Sequence, residues 1–79
     1  MCPRFTETQG QYLAFIYAYA KLHRRPPAEA DFRAYFGVTP PTAHRMIVVL
    51  AERGLIRRRP GQPRSIELLV PPENLPILR

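Results

Sequence analysis

Residues Phe36 to Ile56 read Phe-Gly-Val-Thr-Pro-Pro-Thr-Ala-His-Arg-Met-Ile-Val-Val-Leu-Ala-Glu-Arg-Gly-Leu-Ile. Gly37 supplies the left-handed residue that closes one helix, and Thr39 stands at the N-cap of the next. Pro40 takes the first helical position, where a missing amide costs nothing. Gly54 marks the stop, so this helix is expected to extend to about Arg53. A helix end, a glycine turn, a capped helix and a glycine stop spell a helix-turn-helix, the motif whose second helix enters the major groove of duplex DNA.

On a helical wheel Ala43, Met46, Ile47 and Leu50 gather on one side, with Pro41, Arg45, Val48 and Glu52 opposite. The first group is the expected core face. Thr42 and His44 flank the exposed face near its N-terminal end and form a polar edge with Arg45. Arginine donates twice to guanine O6 and N7, histidine donates or accepts, and threonine offers a hydroxyl and a methyl group. Pro41 offers apolar contact alone. The plain alternative is a solvated helix face, but the glycine turn before it and the basic segment after it favour DNA. His44 has no second ligand or nucleophile at a useful spacing, so metal binding and general-base chemistry are set aside. Val48 and Val49 stand where polar residues are expected. Exposed valines usually signify little; the competing reading, with Tyr17, is a contact in a homodimer, the usual way small readers gain enough contacts on DNA.

Downstream, Leu55 and Ile56 begin an extended segment running through Arg57, Arg58 and Arg59. Pro60-Gly61-Gln62-Pro63 reads as a turn. Arg64 to Leu68 reads as the returning strand, with Ile66 and Leu68 alternating with Ser65 and Glu67. Alternation places Arg57 and Arg59 on one face and Arg58 on the other. Arg57, Arg58, Arg59, Gln62 and Arg64 are the expected phosphate contacts of this wing. A basic edge strand that discourages sheet aggregation is the competing reading.

Upstream, Thr6-Glu7-Thr8-Gln9 fits a capping box. Tyr12, Phe15, Ile16, Tyr19 and Ala20 then recur at helical spacing to about His23. Gly10 weakens the first turn. Leu13, Tyr17 and Leu22 widen the apolar surface, so this helix is expected to be covered on more than one side or to touch another chain. Pro26-Pro27 ends it, and a short helix from Glu29 to Phe36 follows, with Phe32, Tyr35 and Phe36 on one side. The expected fold is mainly α with a small β-hairpin, a three-helix winged helix-turn-helix over residues 1–70. Residues 71–79 are proline-rich and are expected to be a tail or linker without regular structure.

A chain of 79 residues supports one modest core. The net charge is +6, and every basic residue except Lys21 is arginine, which points to a polyanionic partner. Cys2 is the lone cysteine, so no internal disulfide forms and no Cys/His set has zinc-ligand spacing. No cofactor, metal or catalysis is expected. The sequence has neither a bilayer-length apolar run nor the apolar core of a signal peptide, and a cytoplasmic, nucleoid-associated setting is the default expectation.

With these residues in view, the chain resembles the N-terminal DNA-binding domain of LexA repressors. Phe5-Thr6-Glu7-Thr8-Gln9 matches the family's opening, and Pro26-Pro27 the pair before its second helix. Gly37, Thr39 to Ala43, Leu50 to Ile56 and Gly61 to Leu68 continue the likeness, which reaches the linker-like Leu75-Pro76-Ile77. The resemblance implies a winged helix-turn-helix in which Thr39, Pro41, Thr42, His44 and Arg45 occupy the base-contacting positions. It also implies that the family's self-cleaving Ser/Lys protease domain would start where this chain ends. His44 and Arg45 differ in chemistry from the small, amide or acidic residues typical of the family, so the family's operator sequence does not carry over. The leading expectation is sequence-specific double-stranded DNA binding by a small LexA-like transcriptional regulator. The alternatives are a protein-interaction module that uses Tyr17, Val48 and Val49, and a DNA-binding fragment of a larger LexA-like repressor.

Overall fold

The computed structural model describes residues 5–59, 61–62 and 65–78, so Cys2 and the expected phosphate contact Arg64 lie outside the described residues. The order of elements is α1 (Glu7–His23), α2 (Glu29–Phe36), α3 (Pro40–Glu52), β1 (Ile56–Arg57), β2 (Glu67–Leu68) and a closing 3₁₀ turn over Pro72–Asn74. This is the mainly helical, winged arrangement expected from the sequence.

Local chemistry accounts for each helix end. Thr6 Oγ1 accepts from the Gln9 amide at 3.1 Å while Gln9 Oε1 accepts from the Thr6 amide at 3.0 Å, a complete capping box. At the far end Arg24 adopts a left-handed conformation (φ 59°), and its amide donates to Ala20 O at 2.8 Å. Arg25, next to Pro26, is steered towards extended backbone, so the reversal falls on Arg24 at a cost of roughly 1 kcal/mol. The Asp31 carboxylate accepts from the Ala28 amide at 2.7 Å and caps α2. Gly37 closes it with φ 67° and an amide bond to Arg33 O. Nothing lies within 4 Å of where its Cβ would stand, so glycine is needed there for its backbone and not for space.

Thr39 occupies the N-cap position of α3, yet its hydroxyl makes no cap bond. It donates instead to Thr42 Oγ1 at 2.9 Å. Pro40 and Pro41 have no amides, so little is left at this helix start for a cap to satisfy. The stop is a Schellman arrangement, with Leu55 N bonded to Leu50 O, Gly54 N bonded to Ala51 O, and Gly54 at φ 73°. Arg53 is the cap, one residue beyond the last helical residue, Glu52.

The core is an aromatic seam between α1 and α2, extended by aliphatic residues of α3 and the wing. Phe32, Leu13, Leu50 and Ala43 have no exposed surface. Tyr12 stacks on Phe36 at 4.3 Å between ring centroids, and Phe15 meets Phe32 edge-on at 5.1 Å. Burial pushes the Tyr12 phenol above its ordinary pKa. Ile47, Leu55, Ile56 and Ile66 complete the cluster.

Two expectations are corrected. The strands are shorter than Leu55 to Arg59 and Arg64 to Leu68: the antiparallel ladder comprises Ile56 opposite Leu68 and Arg57 opposite Glu67. Beyond Arg57 the Arg59 amide is taken by the Ser65 hydroxyl and not by a strand partner. The segment after Val70, expected to lack regular structure, forms the 3₁₀ turn and then lies along α1. Gln11 Nε2 donates to Ile77 O at 2.9 Å, and Leu75 and Leu78 pack half-buried against the core. Gly10 makes room for this contact, since a Cβ there would stand 2.8 Å from the Phe5 ring and 3.1 Å from Pro76 Cγ. Every residue from Gln9 to Ile16 is buried, which covers Leu13 of the wide apolar surface read on α1, while Tyr17 is half-buried and Leu22 stays exposed.

Gly10 thus yields a test in which helix propensity and packing oppose each other. Propensity alone makes Gly10→Ala stabilising by about 1 kcal/mol. The contacts with Phe5 and Pro76 reverse the sign, and the urea midpoint of the variant is expected to fall; a rise would show that the seam yields to a methyl group.

Candidate nucleic-acid interface

The exposed N-terminal half of α3 is set by what its other side must bury. Ala43, Ile47 and Leu50 point into the core, and Met46 is half-buried beside them. With this seam fixed, Pro41, Thr42, His44 and Arg45 fall on exposed surface, where the wheel placed them, and Thr39 at the N-cap position is exposed as well. Their surroundings differ. The Thr39 hydroxyl is spent on Thr42, whose own hydrogen stays free to donate. Arg45 has no partner among the described residues. His44 is held by Glu29 of α2, with Nδ1 and Oε2 3.1 Å apart.

The ladder of the wing reaches only Arg57, and its arginines differ in their surroundings. Arg57 is in the ladder and exposed, but its guanidinium is paired with Glu67 directly across, Nε donating to Oε1 at 2.9 Å and Nη2 donating to the same oxygen. Beyond it the ladder stops, and the Ser65 hydroxyl takes over. Its oxygen accepts from the Arg59 amide at 2.9 Å, and it donates to Arg59 O at 3.2 Å. Gln62 N donates to the same carbonyl, which closes the tip. Arg58 is half-buried and Arg59 exposed, and both line a concavity of about 310 Å³ between the wing and the start of α2. Gln62 and Glu29 also line it. The expected division, with Arg57 and Arg59 on one face and Arg58 on the other, is matched by their exposure, although the ladder itself ends at Arg57.

Tyr17, Val48 and Val49, expected to be exposed, are half-buried, since each leans on the helical body for part of its surface. The Tyr17 hydroxyl also accepts from Lys21 Nζ at 3.4 Å. Among the described residues no group of His, Cys, Asp and Glu could hold a metal ion, and no helix is long and apolar enough to cross a membrane. Sequence reasoning missed Glu29, Ser65 and Glu67 as partners of the polar surface. Glu29 reads as an ordinary helix-start acid, and nothing local links it to His44. Hairpin register could have paired Glu67 with Arg57, but a one-residue slip would have put it on the other face.

Residues 3–65 match the family described as LexA DNA binding domain. A LexA repressor of Thermosipho africanus is 35% identical over 72 residues, covering 91% of this chain and 36% of that protein. One of Exiguobacterium sibiricum is 35% identical over 68 residues, covering 85% of this chain and 33% of its own length. The chain spans about a third of the length of these curated relatives. It belongs to the LexA DNA-binding domain family.

The hydroxyl brace in the wing can be measured directly. Ser65→Ala removes both bonds to Arg59, and the Arg59 amide is expected to exchange with solvent at a nearly unprotected rate. The Leu69 amide, bonded to Leu55 O in the hairpin base, should keep its protection. Equal protection of Arg59 in both proteins would show that the brace does not hold the wing.

Proposed function

We propose that this chain binds double-stranded DNA sequence-specifically as the DNA-binding part of a LexA-like transcriptional repressor, with α3 in the major groove and the wing on the phosphate backbone. The observation that carries the reading is the exposed polar edge of α3, set over a buried apolar seam and beside a wing rich in arginine. Base reading is assigned to Thr39, Pro41, Thr42, His44 and Arg45. Arg45 has the chemistry for guanine O6 and N7, and the Thr42 hydroxyl remains able to donate. Arg58, Arg59 and Gln62 are assigned to phosphates, with Arg64 on sequence grounds. Arg57 contributes less in this reading, because Glu67 already neutralises it.

The same proposal includes a homodimer on DNA, with the uncovered parts of Tyr17, Val48 and Val49 as its contact. Sedimentation of Val48→Lys/Val49→Lys with and without DNA checks it: a mass that matches the parent protein in both states removes these valines from any interface.

Phosphate and base roles separate by salt and sequence. Arg58→Ala is expected to weaken binding to all duplexes alike and to lower the salt slope by about one. Arg57→Ala should change that slope less. Arg45→Ala should relax preference at one base pair, with a discrimination loss of about 1–3 kcal/mol. Titrations of random and selected duplexes at several salt concentrations measure all three. Equal losses on every sequence for Arg45→Ala and Arg58→Ala would defeat the assignment.

A further inference from the structure

His44 and Glu29 are fifteen residues apart in sequence and lie on different helices, yet their side chains meet at 3.1 Å on the same exposed surface. We propose that Glu29 is a positioning residue for sequence reading, holding the His44 ring so that Nε2, and not Nδ1, is offered to a base. The proposal rests on the assignment of His44 to base reading. A carboxylate has only acceptor sites, so the nitrogen facing it must carry the hydrogen. That nitrogen is Nδ1. In the neutral ring the proton is then spent on Glu29, and Nε2 is left with a lone pair.

A lone pair at Nε2 selects a base edge that donates. In the major groove such edges are the N6 amino group of adenine and the N4 amino group of cytosine; guanine N7 and O6 and thymine O4 are acceptors and are refused. Without Glu29 the ring can turn over and exchange tautomers. It would then meet donors and acceptors alike, and preference at that base pair would fall. Glu29 needs no contact with DNA for this role.

The test is selection of bound sequences from random duplex DNA at about pH 8, where imidazole is in general neutral. The parent protein, Glu29→Gln, Glu29→Ala and His44→Ala are compared, and circular dichroism melts confirm that each is folded. The parent is expected to favour adenine or cytosine at one strand position. Glu29→Ala should lose about fivefold of that preference there and at no other position. Glu29→Gln places a donor amide beside its acceptor oxygen, so it no longer requires the hydrogen on Nδ1 and should lose part of that preference. Combining Glu29→Ala with His44→Ala should do no further harm at that position.

If Glu29→Ala keeps the preference that His44→Ala loses, the positioning role is overturned while base reading by His44 stands. A Glu29→Gln protein with the parent's full preference also overturns it, since an acceptor-only partner would then not be what sets the tautomer. If His44→Ala changes no position, base reading by His44 falls and the proposal falls with it. The three outcomes are distinct in one data set.

Discussion

Phe32 has no exposed surface, and the rings packed on it, Tyr12, Phe15 and Phe36, decide how α2 lies on α1. A helix of eight residues is too short to be stable alone, so α2 exists because its aromatic face is buried in this seam. The rest of the chain is hung from it. Gly37 and Val38 set the direction of α3 relative to α2, and Ala43, with no exposed surface, allows α3 to approach closely. Once α3 is seated, Leu50 and the Schellman turn aim Leu55 and Ile56 back into the same core. The wing is therefore positioned by the same core.

The polar surface follows from the same constraint. Because the apolar face of α3 is committed to the core, its N-terminal half must present Thr42, His44 and Arg45 outward. The chain's positive charge is not spread evenly over what remains. Pairing with Glu67 removes Arg57 from the uncompensated cations, and Glu29 occupies one nitrogen of His44. Arg45, Arg58 and Arg59 are left as the cations of this surface with no acidic partner among the described residues. Fixed partners thus divide a surface that composition alone describes as uniformly basic into groups free to meet DNA and groups that orient them.

What was legible in the sequence was what local chemistry decides. Thr6 with Gln9, Gly37 and Gly54 act within a few residues of themselves, and the helix limits they imply agree with the structure to within a residue. The buried face of α3 was legible for a related reason, since helical spacing alone brings Ala43, Ile47 and Leu50 together. What was not legible depends on contacts between distant segments. The order of residues 71–78 comes from the notch at Gly10 and from Gln11, some 66 residues before its partner Ile77. Local proline content carries no trace of that notch. Likewise the end of the ladder at Arg57 reflects Ser65 substituting for backbone pairing, and the orientation of His44 reflects an acid on another helix.

This separation between seam and edge bears on how the domain can diverge from its relatives. The residues that hold the fold, Phe32, Ala43, Ile47 and Leu50, are buried and make contacts that a change of size would disturb. Thr42, His44 and Arg45 are exposed, and substitutions at such positions usually change stability by less than about 0.5 kcal/mol. The edge is not wholly independent, however, because His44 is tied to Glu29. A change at either member leaves the other without its partner, so the two positions are constrained as a pair although neither is needed by the core. In the proposed role, a new reading specificity in this fold would then require changes on α2 as well as on the helix that enters the groove.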